Sequence, residues 1–170
     1  MFKFFLISDA SDTTDFNCEN EELNSFLKQK ALLNQQRMLG ATTLLIDDDS
    51  PSFIIGYYTL CPCHVESSVL PKKFGGNLPR EIPAIKLARL AVDKEVQGQC
   101  FGEILLAHAL RCSYQQSLAW RSGYVVLIDV KPSAKGFYQK YGMKMIKDED
   151  DEVLMGMRTK DIPKHFPVSS

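Results

Sequence analysis

Residues 101–141 constrain the fold most. A helical run over about residues 101–121, FGEILLAHALRCSYQQSLAWR, is followed by YVVLIDV and then by a shorter helical run, SAKGFYQKY. YVVLIDV is apolar at nearly every position, which marks a strand buried on both faces. A second apolar stretch, residues 85–92, precedes the long helix. Two strands joined through a helix lie parallel in one sheet. Residues 42–46 and 53–60 flank DDDSP, and 143–147 and 153–158 flank DEDDE, so both pairs read as antiparallel hairpins. A chain with one parallel crossover and two hairpins folds as α+β, a mixed α/β sheet of six to seven strands with about four helices.

The remaining elements follow from pattern and punctuation. Residues 2–7 read as a first strand. Asn20 is a favoured cap for a helix over 21–36, with Glu21 and Glu22 at its positive end. Leu23, Phe26, Leu27 and Ala31 share one face of that helix. Residues 61–83, with prolines at 62, 71, 79 and 83 and the pair Gly75-Gly76, read as irregular. Along the long helix, Phe101, Leu105, Ala109 and Cys112 form one row beside Leu106 and Leu110, with Glu103, Ala107 and Arg111 opposite. Ser133 is the expected cap of the helix over 133–141. There is no repeat and no low-complexity linker, so residues 1–170 are expected to form one domain.

Composition narrows the setting. No apolar stretch is long enough for a membrane span. The start, MFKFFLISDAS, has no cleavage signature and reads as a strand. Five cysteines, without the spacing of a disulfide framework or of a zinc knuckle, point to reduced thiols in a cytoplasm and to no metal. The net charge of −1 conceals an imbalance: residues 71–147 carry 13 Lys and Arg against 5 Asp and Glu. A basic region inside a neutral chain suits an anionic ligand, although solvated surface gives the same count.

Between the 85–92 strand and the long helix lies Gln97-Gly98-Gln99-Cys100-Phe101-Gly102. The first N–H groups of a helix have no intrahelical acceptor, and glycine lets a backbone approach a phosphate closely. The turn is thus either a pyrophosphate cradle or a tight turn that needs its glycines only for φ. It is neither a Walker A loop nor a full G-x-G-x-x-G.

RLAVDKEVQGQCFGEILL resembles the acetyl-CoA loop of the GNAT N-acetyltransferase superfamily, Gln/Arg-x-x-Gly-x-Gly/Ala. Gln97 and Gly102 match its ends, and Cys100 stands at the middle glycine. SAKGFYQKYGM is similar to the family's later helix through Phe137, Tyr138 and Gly142, with Met143 where phenylalanine is usual. Phe16, Cys18, Leu23, Phe26, Leu27 and Ala31, with Gly40-Ala41-Thr42, GYYTL and IPAIKLARLAVD, resemble the toxin branch of type II toxin–antitoxin pairs. Those enzymes acetylate the α-amino group of aminoacyl-tRNA.

The resemblance implies a GNAT fold, acetyl-CoA as cosubstrate and aminoacyl-tRNA as acceptor. It also implies a small ribbon-helix-helix antitoxin and a homodimer. Leu90, Ala91 and Val92 would offer backbone groups where the strand splays from its neighbour. Gln97, Gly98, Gln99, Cys100, Phe101 and Gly102 would hold the pyrophosphate. A cysteine is tolerable at position 100 if its φ stays negative and its side chain points away. Tyr138 would protonate the departing thiolate, as a phenol of pKa near 10 can; Tyr141 is read as packing. Lys72, Lys73, Arg80 and Arg89 are the expected contacts to tRNA phosphates. Asp93 and Glu95 read as solvated or turn residues, and His64 and His108 carry no assigned role. A GNAT enzyme for a small amine or a protein N-terminus, or a non-catalytic acyl-CoA-binding module, are the alternatives.

Overall fold

A computed structural model describes residues 1–167. Hydrogen bonding orders seven strands as β1-β2-β3-β4-β5-β7-β6. They are β1 Phe2–Leu6, β2 Ala41–Asp47, β3 Ser50–Glu66, β4 Glu81–Val92, β5 Val125–Val130, β6 Lys144–Glu149 and β7 Glu152–Arg158. The helices are α1 Glu21–Ser25, α2 Ala31–Gln36, α3 Phe101–Trp120, α4 Lys135–Lys140 and α5 Ile162–His165. β4 and β5 are parallel, while β1 with β2, β2 with β3, β5 with β7 and β6 with β7 are antiparallel. This is the expected mixed α+β sheet.

The chain divides into two compact units. The first holds residues 1–61 and 88–109, and the second 62–87 and the chain from Leu110 onward. The core of the first gathers Ile7, Phe16, Leu27, Ala31, Leu44 and Tyr57. The core of the second gathers Phe74, Ile82, Ala84, Val125 and Leu127.

In the first unit Asn20 caps α1 as its sequence predicts, its side chain accepting the Leu23 N–H at 3.2 Å. The helix expected over 21–36 is interrupted by a π-helical turn, Phe26–Lys30, before α2 resumes. Such turns occur inside α-helices, and here Leu23, Phe26, Leu27 and Ala31 still reach one core. The buried positions of α3 are Phe101, Leu105, Leu106 and Ala109 in the first unit and Leu110 and Ser113 in the second. Ser113 is fully buried, and Cys112, expected in the row, is half-buried. His108 is held between two rings, stacked on Phe4 at 3.7 Å and bonded through Nδ1 to the Tyr58 hydroxyl at 2.8 Å.

The largest departure from expectation is the segment 61–83. β3 runs on to Glu66 through Pro62, and β4 begins at Glu81, before Pro83. β2 begins at Ala41, opposite Leu60, so beyond Leu60 that flank of β3 lacks its β2 partner. A proline is tolerated where its missing N–H is not needed in a ladder. Pro83 likewise lies at the start of a strand, where its carbonyl still accepts the Tyr124 N–H at 2.8 Å. The short helix near 135 also differs. Its first turn, Pro132–Ala134, is 3-10, and no side chain caps it, so Ser133 is not the cap. Proline at the first position presets φ and replaces the need for one.

Candidate functional site

The turn after β4 is built by buried polar groups. Asp93 is only 2% exposed; its carboxylate accepts the N–H groups of Asn17 and Glu95, both at 2.9 Å. It is therefore a buried turn residue and not a solvated one. Its own N–H donates to Ile55 O at 2.8 Å, and Lys94 N–H donates to Asn17 O at 2.8 Å. Gln97 Nε2 donates to Val92 O at 3.0 Å and to Cys18 O at 3.4 Å. The glutamine that opens the motif thus ties the loop to the end of β4 and to the 17–18 turn. Gly56, on β3, completes the frame. A Cβ there would lie 2.6 Å from Ala91 O and 2.7 Å from Leu105 Cδ1, so only glycine permits this approach.

Residues 97–100 are exposed, and Gly98 and Cys100 have φ of +78° and +66°. The expectation that Cys100 keeps a negative φ is overturned. Cys100 takes the left-handed conformation that the glycine it replaces would take, at a cost of about 1–2 kcal/mol. Its carbonyl accepts the first helical hydrogen bond, from Ile104 N–H at 3.2 Å, and its exposed side chain leaves the loop unfilled. Gln97 is extended, so the chain turns at Gly98 and again at Cys100 before the helix begins. The first N–H groups of α3, which have no intrahelical acceptor, are the donors this turn presents to an anion. A Cβ on Gly98 would meet nothing within 4 Å, so the space before the loop is open. The loop fits a pyrophosphate.

Leu90, Ala91 and Val92 lead directly into this loop within the first unit. Arg89 belongs there too, but it is not extended into solvent. Its guanidinium carbon lies 4.7 Å from the centre of the Phe26 ring, and Nη1 donates to Ala88 O at 3.0 Å. Its Nε is buried without a hydrogen-bond partner. Tyr57 stands nearby and donates to Leu23 O at 2.7 Å. Burial raises the Tyr57 phenol well above its ordinary range, and the Arg89 charge opposes that rise.

Tyr138, Lys72, Lys73 and Arg80 belong to the second unit. Tyr138 is buried on α4, edge-on to Phe137 at 5.0 Å. Burial alone pushes its phenol up to about 12. It is a weaker acid than the unperturbed phenol expected from sequence, and it stays protonated throughout the neutral range. Tyr141 packs on Phe137 at 5.1 Å and Phe166 at 6.3 Å, as expected. Gly142, at φ +92°, closes α4; a Cβ there would fall 2.6 Å from the His165 ring. Lys72 and Lys73 are exposed on a 3-10 turn. Arg80 approaches Glu66 at 3.7 Å, and Lys86 is paired with Asp129 at 2.6 Å. The β4–β5 ladder covers only Ala84–Lys86 against Val125–Leu127, although β4 continues to Val92 and β5 to Val130.

Sequence reasoning missed Gly56, the Asn17–Asp93 bond and the seat of Arg89 on Phe26. A glycine within the β-rich run GYYTL was the only local sign of the first. The other two join residues more than sixty positions apart and left none.

Known proteins agree with this architecture. Residues 13–154 match the model of the acetyltransferase (GNAT) domain. A tRNA-acetylating toxin of Mycobacterium tuberculosis is 28% identical over 154 residues, 89% of this chain and 90% of that protein. The structure of AtaT complexed with acetyl-methionyl-tRNAfMet is similar with a TM-score of 0.86 and 28% identity, covering 96% of this chain and 98% of that one. A tyrosine-to-phenylalanine variant of AtaT, bound to acetyl-CoA and the C-terminus of the antitoxin AtaR, gives 0.80 at 25% identity, covering 98% and 99%. With the family model spanning most of its length, the chain belongs to the GNAT acetyltransferases.

Proposed function

We propose that the protein transfers acetyl from acetyl-CoA to the α-amino group of aminoacyl-tRNA, and that it thereby acts as a toxin of translation. The open loop before α3 carries this reading, since its left-handed Gly98 and Cys100 leave room for a pyrophosphate at the N-terminal end of a long helix. The tRNA-acetylating relative and the AtaT complexes supply the acceptor and the cosubstrate. A cysteine at the loop's middle glycine would favour the non-catalytic module, but its positive φ keeps the backbone path that glycine would take.

Acetyl-CoA supplies an activated acetyl thioester. Gln97, Gly98, Gln99, Cys100, Phe101 and Gly102 hold the pyrophosphate. Leu90, Ala91 and Val92, which lead into the loop, supply backbone groups to the pantetheine and the carbonyl. Tyr138 donates its proton to the sulfur as the C–S bond breaks. Its phenol is raised above a thiol, so transfer is uphill even to the fully formed thiolate, and it completes only because the phenolate is reprotonated. The proton lost by the attacking amine returns to the phenolate through solvent. An aminoacyl α-amine titrates near pH 8 or below, so no strong general base is required.

Lys72, Lys73 and Arg80, all exposed, take tRNA phosphates, whereas Arg89, seated on Phe26 with its Nε buried, is no longer among these contacts. The whole chain acts as one catalytic domain, works as a homodimer in the cytoplasm, where tRNA is charged, and is neutralised by a ribbon-helix-helix antitoxin. No helix among the described residues is long and apolar enough to cross a membrane.

The test is transfer of labelled acetyl from acetyl-CoA to bulk charged tRNA, with uncharged tRNA and a panel of small amines as controls. Label on charged tRNA alone is expected. Label on a small amine instead keeps the enzyme and removes the toxin.

A further inference from the structure

The second unit contains a groove of about 470 Å³ that the reaction above does not use. Its lining includes Pro83, Tyr114, Leu118, Arg121, Tyr124 and Lys160, and no carboxylate. Arg121 and Lys160 are exposed, and neither is in an ion pair among the described residues. The other large groove of this unit is different: Asp129, Asp151 and Glu152 line it against Lys131 and Lys147, so it carries a net negative charge.

Tyr124 is the structural link. Its ring lines the groove, and its hydroxyl donates to the carbonyl of Phe74, in the turn that carries Lys72 and Lys73. The groove and that basic turn are therefore fixed to one side chain. Two tyrosines, a proline and a leucine offer flat apolar walls, and two uncompensated cations stand at the rim. A ligand that satisfies both has a planar ring and an anionic group, and the volume lies in the range of small-ligand sites. Arg121 also lies at the carbonyl end of α3, where a cation is favourable. That role accounts for one charge; it accounts neither for Lys160 nor for the tyrosines.

We propose that this groove seats an unstacked nucleotide of the tRNA, its base against Tyr114 and its phosphate between Arg121 and Lys160. The inference rests on the tRNA reading above and adds to it a contact site outside the loop and Tyr138. Base–aromatic stacking combined with phosphate pairing is how single-stranded nucleic acid is held without sequence preference.

The experiment measures binding of labelled, uncharged tRNA over a series of salt concentrations. It compares the unaltered protein with the double variant Arg121→Gln, Lys160→Gln and with Tyr114→Leu. The double variant is expected to bind about 10-fold or more weakly, with a slope of log K against log salt shallower by about two. Tyr114→Leu is expected to weaken binding about 5-fold or more with the slope unchanged. Thermal melting and acetyl-CoA binding, measured alongside, are expected to stay as in the unaltered protein. Unchanged tRNA affinity and slope in the double variant overturn the groove. An unaltered protein that binds no tRNA overturns both the groove and the acceptor reading. Loss of tRNA binding in the variants, in a protein that acetylates no charged tRNA, upholds the groove and overturns only the acceptor.

Discussion

At the scale of single residues, Tyr138 and Cys100 carry the sharpest expectations. Burial pushes the Tyr138 phenol up to about 12, and in the proposed role as proton donor the protonated form is the active one. Raising the pKa extends that form to higher pH. kcat/KM should therefore rise as the substrate amine loses its proton near pH 8 and hold a plateau, with no falling limb from Tyr138 below about pH 11. A falling limb that is present in the unaltered protein and absent in Tyr138→Phe would reverse this. Tyr138→Phe should lower kcat by about 100-fold or more while acetyl-CoA binding persists. For Cys100, glycine takes φ of +66° without strain. Cys100→Gly should stabilise the fold by about 0.5–1 kcal/mol and bind acetyl-CoA at least as tightly, whereas Cys100→Val should lose on both counts. Thermal melting and cofactor titration read the pair. The sequence shows which residue stands at position 100; it does not show the sign of its φ, which depends on where the helix starts.

At the scale of elements, the Phe-Tyr-x-x-x-Gly run reads differently once folded. Gly142 ends α4 because φ of +92° and the neighbouring His165 ring exclude any Cβ. Gly142→Ala should cost about 2 kcal/mol or more and lower the melting temperature by roughly 4 °C or more. Melting by circular dichroism tests it. α3 and β5 were legible because long apolar periods survive any local detail. The extension of β3 through Pro62 was not, since proline usually stops a strand and only the end of β2 at Ala41 permits it. The π-helical turn at Phe26–Lys30 was hidden for the opposite reason. It leaves Leu23, Phe26, Leu27 and Ala31 packed in one core and so alters no pattern.

At the scale of the whole molecule, charge separates tRNA from small acceptors. Residues 71–147 hold the cationic surplus, and Lys72 and Lys73 keep theirs exposed. KM for charged tRNA should rise steeply between 50 and 200 mM salt, by about tenfold or more, while KM for acetyl-CoA moves little. Equal salt response for both would argue against a phosphate track. The fold class and the two motifs were readable because they are local. The frame behind the loop was not, because Asn17, Cys18, Asp93 and Gln97 are remote in the chain. That separation also sets an order of events in time. The bond from Gln97 to Cys18 spans 79 positions, so the loop cannot be braced until both ends of that interval have been synthesised and have met. Contacts of such range form late and slowly. A nascent chain thus carries the complete motif well before it carries a rigid cradle, and a chain lacking its first two dozen residues would keep every letter of the motif while losing the brace.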